Sequence, residues 1–432
     1  MHPLTELIKN DMKPALGVTE PGAIAYATAL AKSYTKGELK AIHLNLNSGM
    51  YKNAFTCGIP NTDQIGNLYA AALGAAVNLP DLGLEMLGKV CEAHRIQADE
   101  WVKAGVISAS VAMISSKIYI QARVEAGEDV CTVTIRDKHT QVEEIRLNEA
   151  VLCWTKVKEE TAELSEEKLE EKATISVHQY SFQQIIEYIE TVDLDEIRFM
   201  KTAYDMNLEL FQLGLDSSRT TFAPALHQQN GCQVISQNER ATAQLLCNGA
   251  IEARVIGLEK PAMSIAGSGA HGIICTMPLY AVQQVNNYSE ERLLRATAIS
   301  YLITQYIKDY SGRLSAFCGC GIASGTAMAC ALAWLKGANL DQIKKVVYNM
   351  ASGITGMICD GGNQGCAMKG IVAVDAAFRA VEFAMMDVAV DPRHGINGAT
   401  PEETFRQMGL IASPGMEATE KTIVEIMEKK KM

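Results

Sequence analysis

The sequence predicts an α+β protein: an N-terminal lobe of helices and an antiparallel sheet, then a larger, mostly helical C-terminal lobe. Three observations predict it. Period-2 alternation of apolar and polar residues is confined to the first 155 positions, and such alternation marks half-buried strands. Beyond position 176 the apolar spacing is helical almost throughout. Between the two lies a tract dense in Glu and Lys, from Lys156 to Lys172, which reads as a solvated connector. The division is therefore a lobe over 1–155, a charged linker over 156–175 and a helical lobe over 176–432.

Residues 5–35 read as a helix broken near Pro14 and restarted after Pro21, where Gly22 to Ala31 are small enough for close packing. Ala41 to Asn47 alternates and predicts a strand, which Ser48-Gly49 ends. Asn61-Thr62-Asp63 caps a helix expected over 63–78, and another follows over 82–104. From Lys117 to Ala150, three alternating runs are separated by turns at Glu125–Asp129 and Arg136–His139, the pattern of an antiparallel meander. In the C-terminal lobe Ile185, Ile186 and Ile189 mark an amphipathic helix, and a longer one spans about 285–310. Ala323–Leu335 and Val372–Met386 are Ala-rich and predict closely packed, buried helices. These apolar helices suit a core or a homo-oligomer interface equally well.

Composition excludes several classes. The chain has 432 residues, 48% of them hydrophobic, enough for two or three domains with cores. Its net charge is −11, with no basic stripe carrying interleaved aromatics, so nucleic acid is not an expected partner. No apolar signal core opens the chain and no uninterrupted run of about 18 apolar residues occurs, so neither export nor a membrane is expected. Twelve cysteines spread over such a chain favour a reducing cytoplasm, free thiols and a metal site over a disulfide framework.

Three of those cysteines stand out. Cys320 lies in Phe317-Cys318-Gly319-Cys320-Gly321, and Cys359 and Cys366 bracket Asp360-Gly361-Gly362-Asn363-Gln364-Gly365. Glycines let a backbone wrap close to an inorganic cluster. Three thiolates on four irons leave one iron open as a Lewis acid. Cys318 is the alternate to Cys320. Each thiol alone reads as ordinary buried cysteine; the pattern as a set points to metal. Zinc is a weaker rival, because no His stands at ligand spacing here.

Three further clusters carry polar groups. Gly267-Ser268-Gly269 is a donor-rich turn able to hold a carboxylate, with His271 just after it as an acid, a base or a structural histidine. Gly17-Val18-Thr19-Glu20-Pro21 offers a hydroxyl and a carboxylate, and is equally a plain helix start. Lys52 and Asn53 follow a strand end, where Lys52 is a candidate partner for a substrate carboxylate or a solvated loop lysine.

Together these segments resemble the L-cysteine desulfidase family, relatives of the iron–sulfur L-serine dehydratases, over nearly the whole chain. The resemblance rests on Ala15–Pro21, Tyr51–Ala54, Gly58–Pro60, Gly267–Gly269, Cys318–Cys320, Met357–Gly361 and Gly365-Cys366. It implies an oxygen-sensitive 4Fe-4S cluster held by three cysteines, without pyridoxal phosphate. It also implies β-elimination from a small amino acid, L-cysteine to pyruvate, ammonia and sulfide. Carried over, the ligands are Cys359, Cys366 and either Cys320 or Cys318. The substrate-binding set is Thr19, Glu20, Asn53, Ser268 and Gly269. One position departs: where family members read Gly-Cys-Thr-Glu-Pro and use that cysteine as the base, this chain has Val18. Cys57, Lys52 and His271 are the remaining candidates for the base. Two other readings follow from Val18 and from the likeness of serine to cysteine: a non-catalytic amino-acid-binding or redox-sensing cluster protein, and an L-serine dehydratase.

Overall fold

The computed structural model describes residues 1–154, 175–312 and 314–430. The expected charged linker, apart from Ile175, lies outside the described residues. The expected helix over 5–35 is two helices, Pro3–Asp11 and Thr19–Ser33, separated by strand β1 (Lys13–Leu16). Pro14 does not break a helix; it sits in that short strand. Pro21 falls in the first turn of Thr19–Ser33, where its missing N–H leaves no bond unmade.

Strand β2 (Leu39–Asn47) lies inside a six-stranded sheet with β3 (Ile107–Met113), β4 (Tyr119–Ala126), β5 (Asp129–Arg136), β6 (Val142–Leu147) and β7 (Ala150–Trp154), in the order β3-β2-β4-β5-β6-β7. The meander is therefore present. The sheet also gains β7 at one edge and β3, parallel to β2, at the other. In β4 the residues Ile120, Ala122, Val124 and Ala126 are buried while Gln121, Arg123 and Glu125 are half-buried, as one covered face requires. Helix Thr19–Ser33 covers that face and packs against helix Gly66–Val77, with Ala23, Ala27 and Ala31 fully buried. The stretch expected as one helix over 82–104 is a tight 3₁₀ segment, Pro80–Lys89, then helix Glu92–Lys103.

The rest is helical. Helices Lys201–Asp216, Glu239–Val255, Gly269–Asn286, Glu290–Ser311, Gly325–Leu335, Leu340–Ile354 and Gly365–Met385 pack around a core in which alanines lie among Leu, Ile and aromatic side chains. In Gly325–Leu335 every residue but Trp334 is buried, so the Ala-rich run belongs to the core. No helix among the described residues is long and apolar enough to cross a membrane.

Two features tie the C-terminal lobe to the N-terminal lobe. Strand β8 (Pro261–Ser264) pairs antiparallel with β1, Pro14 opposite Met263. The last helix, Glu417–Glu428, packs on helix Ser48–Ala54, where Glu420 meets Lys52 at 2.6 Å. A site at this junction takes residues from both lobes.

Candidate active site

The two cysteine segments run side by side. Phe317 and Ile358 form an antiparallel bridge. The Cys318 N–H donates to the Met357 carbonyl at 3.1 Å, and the Cys359 N–H donates to the Ala316 carbonyl at 2.6 Å. Past Cys318 the chain makes a wide π-type turn, Gly319–Ser324, before helix Gly325–Leu335; such turns recur at functional sites. Cys318 is buried and its sulfur accepts from the Gly321 N–H at 3.4 Å, so it acts as the cap of that turn. Cys320 and Cys359 both line a cleft.

Cys366 sits in the first turn of helix Gly365–Met385, whose Gly365 N–H is capped by Asn363 Oδ1 at 2.8 Å. The loop from Cys359 to Cys366 is held on three sides. Gly361 has φ +100°, and a Cβ there would lie 2.3 Å from the Lys52 carbonyl oxygen, so only glycine fits. The Gly362 N–H donates to the Asn53 carbonyl at 3.2 Å, and Lys369 pairs with Asp360. Gln364 Nε2 donates to Glu252 Oε1 at 2.9 Å.

The cleft is lined by Glu20, Asn53 and His139 from the N-terminal lobe. Facing them are Ala266, Gly267, Ser268, His271, Lys308, Leu314, Ser315, Phe317 and Gly319, with Cys320 and Cys359. Asn53 links two sides of it: its Nδ2 donates to Glu20 Oε1 at 2.9 Å, and the Cys359 thiol points at its Oδ1 from 3.9 Å. Ile265 and Ser268 exchange backbone bonds around a tight turn with φ +48° at Ala266 and +75° at Gly267. A left-handed alanine is a strained choice. Ser268 then begins helix Gly269–Asn286 without using its side chain as a cap, leaving N–H donors at the helix start.

His271 is 5% exposed, and its Nδ1 lies 3.1 Å from the Ile265 carbonyl. A carbonyl only accepts, so Nδ1 carries the hydrogen and Nε2 keeps its lone pair. Burial, then the Lys308 charge, pushes its pKa down to about 3, so the ring is neutral at pH 7. A Cβ on Gly319 would stand 2.7 Å from His271 Nε2 and 3.1 Å from Lys308 Nζ. Glycine at 319 thus lets the backbone reach the imidazole.

Burial pushes the Cys320 thiol up to about 12, with Cys366 and Cys359 adding to the shift. Burial also raises Cys366 and lifts Cys318 and Cys57 well above the ordinary thiol range. All twelve cysteines are unpaired. Among the described residues, no three His, Cys, Asp or Glu side chains converge as they would around one metal ion.

The remaining expected site residues lie outside the cleft lining. Lys52 is no loop lysine: it lies in helix Ser48–Ala54, 1% exposed, with Nζ on Glu420 Oε2 at 2.6 Å and on the Ser315 carbonyl at 3.0 Å. Thr19 begins helix Thr19–Ser33. Val18 is 5% exposed, and its Cγ1 would lie 3.2 Å from a Cβ on Gly362, beside Cys57. Cys57 is fully buried. Sequence reading missed Lys308, Ser315 and His139. Lys308 follows the mostly apolar run Tyr301–Ile307 and is paired in sequence with Asp309, so neither it nor Ser315 nor His139 had a distinctive signal.

The model of the serine dehydratase alpha chain family matches residues 90–425. A UPF0597 protein of Clostridium botulinum (strain Langeland) is 35% identical, over 98% of this chain and 98% of its own. The UPF0597 protein of Caldanaerobacter subterraneus subsp. tengcongensis is 34% identical over 99% and 98%. That of Clostridioides difficile is 32% identical over 98% of each.

Proposed function

The chain belongs to the serine dehydratase alpha chain family, and from that premise we propose that it is an iron–sulfur-dependent lyase. It removes sulfide, or water, together with ammonia from a small β-substituted amino acid, L-cysteine first. The observation that carries this reading is one cleft in which Cys320 and Cys359 face a carboxylate, an amide, a neutral imidazole and a helix start.

The donor set suits a polynuclear cluster. Thiolates on a cubane each bind a different iron, so they stand wider apart than ligands of a single ion. Among the described residues no tight three-ligand group is present, and a cluster does not require one. In this reading Cys320, Cys359 and Cys366 hold the 4Fe-4S cluster, and Cys318, whose sulfur already accepts from the Gly321 N–H and which does not line the cleft, is the alternate to Cys320. When bound, the cluster supplies an open iron as Lewis acid for the departing sulfide or hydroxide.

The side chains do the rest. The Gly269 N–H, at the start of a helix, and the Ser268 hydroxyl receive the substrate carboxylate, the Ser268 N–H being held by the Ile265 carbonyl. Glu20, oriented by Asn53, receives its ammonium. His271 Nε2 takes the Cα proton. Its low basicity belongs to the metal-free protein; thiolate charge nearby favours the protonated ring and raises it. The base position of the desulfidases is filled by Val18, and Cys57 is a poor substitute because burial holds its thiol protonated. Lys52 serves as a strut, its ammonium committed to Glu420 and Ser315. The Cα–H and Cβ–S bonds break, the proton goes to His271, and sulfide leaves. The resulting aminoacrylate tautomerises and takes up water to give pyruvate and ammonia. No pyridoxal phosphate is called for.

Val18 favours one other reading, an amino-acid-binding or redox-sensing module that kept the cleft and lost turnover. Pyruvate and sulfide assays on anaerobic protein with L-cysteine and L-serine separate the two. Equal amounts of pyruvate and sulfide from L-cysteine, lost in His271→Asn, support the lyase. Saturable cysteine binding without pyruvate, in protein that carries the cluster, supports the binding module.

A further inference from the structure

The Ala-rich run Val372–Met386 predicts a buried helix, and one face of helix Gly365–Met385 is buried, with Ala373, Val374, Ala377, Val381 and Ala384 in the core. The other face is not. Met368, Val372, Phe383, Met385 and Met386 are between 39% and 69% exposed. Single apolar side chains at a surface are ordinary, whereas a row of them along one helix marks a contact face.

The row has a period. Met368, Val372, Asp375, Arg379, Glu382 and Met386 follow one another at steps of 4, 3, 4, 3 and 4, the spacing by which one helix seats against another. The row is also its own complement when reversed. A two-fold axis at the level of Ala377 sets a second copy of the helix antiparallel, so that 368 faces 386 and 375 faces 379. Methionine then meets methionine at both ends, and Val372 lies level with Glu382 and Phe383. At the centre each Asp375 meets Arg379 of the second copy.

The central charges are free for this. Asp375 is exposed and makes no hydrogen bond or ion pair among the described residues. Arg379 stands at i+4, where an acid and a base on one helix can pair. Its guanidinium instead turns to Glu382 at 3.0 Å and lies over the Phe383 ring, 5.8 Å from the centroid. An unpaired carboxylate in an apolar row fits a cation from outside, and the reversed row supplies one. Beside the first half of the helix runs a groove of about 570 Å³, lined by Phe222, Leu226, Met368, Ile371 and Asp375 among others. In the reversed copy Met385 and Met386 stand level with it, and methionine adapts to such irregular space.

We propose that the outer face of helix Gly365–Met385 is a two-fold interface on which a second copy of this chain docks antiparallel. The inference goes beyond the lyase reading and does not depend on the cluster. It covers the open face of the helix that carries Cys366 in its first turn.

The test is the oligomeric state of the full-length protein, by analytical ultracentrifugation over a concentration series, beside D375R, R379D and their equimolar mixture. Wild type should sediment as a dimer. Each single variant sets like charges face to face twice per dimer and should weaken association about 100-fold or more. Mixing the two variants restores opposite charges at both contacts, so the mixture should recover the dimer. Both side chains are exposed, so neither change disturbs the core. A second measurement uses the unsubstituted protein. Dilute peroxide should oxidise Met386, 69% exposed in the single chain, more slowly as the dimer forms, while Met113, 40% exposed on β3, keeps its rate. Wild type that stays a monomer at every concentration overturns the proposal. So does a dimer that neither variant weakens, which puts the contact on another face. A mixture that stays as monomeric as its components refutes the antiparallel register, and Met386 that oxidises at the monomer rate within the dimer refutes the interface.

Discussion

Glu252 joins the fold to the cysteine loop, and its removal should be felt at both. The residue is 0% exposed. Its Oε1 accepts from the Thr221 N–H at 2.8 Å, the Thr221 hydroxyl at 3.1 Å and Gln364 Nε2 at 2.9 Å; its Oε2 accepts from the Phe222 and Ala223 N–H groups, both at 2.9 Å. It thereby caps helix Phe222–Gln229, whose own N-cap, Thr221, makes no side-chain bond to the N–H groups of the helix. Burial raises its pKa, but the Thr221, Gln364, Ala223 and Phe222 donors outweigh burial and hold it below the ordinary value of 4.5. Glu252→Ala strands three backbone donors at about 1–3 kcal/mol each before water relaxes the site. We expect about 3–5 kcal/mol at pH 7. Hydrogen exchange at Thr221–Ala223 reads this locally and needs no two-state unfolding. The amides should open about a hundredfold faster or more. The sign with pH follows from the depressed pKa: the Glu252 contribution is complete above 4.5 and is lost as pH falls through its lower folded value. The gap between wild type and variant should therefore close in acid. A gap under about 1 kcal/mol at pH 7, or one that acid leaves unchanged, would refute this account.

Other expectations follow from the same contacts. Lys52→Met leaves Glu420 buried without its partner and should cost about 3–5 kcal/mol, much of it recovered in Lys52→Met/Glu420→Leu; thermal unfolding of the single and double variants checks this. Gly319→Ala drives a methyl to 2.7 Å from His271 Nε2; it should lower stability by about 1–3 kcal/mol and abolish pyruvate formation. His271 titrates near 3 in the fold against 6.5 in the unfolded chain. The unfolded state thus binds the extra proton, and metal-free protein should lose stability as pH falls from about 6.5 to about 3. Melting curves of His271→Asn across that range should be flatter.

What was legible in the sequence was what depends on period or on neighbours in the chain. Ala41–Asn47 and the runs from Ile118 to Leu147 alternate, and they are strands. Cys320, Cys359, Glu20, Asn53, Ser268 and His271 were each singled out by local pattern, and the fold brings all six to one cleft. What failed was short or long-range. Helix Ser48–Ala54 spans only seven residues, two turns, too few to show a period. Pro14 reads as a helix breaker until β8, some 250 residues later, supplies its strand partner. Lys52 looked solvated because its partner Glu420 lies 368 positions away. Arg254, buried with its Nε unpartnered, left no trace in the sequence, because no local pattern records a missing partner.

The central claim is that Cys320, Cys359 and Cys366 together hold an iron–sulfur cluster. The most direct measurement is iron and acid-labile sulfide per chain in anaerobically reconstituted protein, beside single Cys→Ser variants at 318, 320, 359 and 366. The account predicts about four irons and four sulfides per chain in wild type and in Cys318→Ser, with sharp loss in the other three. Wild type without iron and sulfide after reconstitution, or variants at 320, 359 and 366 that retain the full complement, would contradict it.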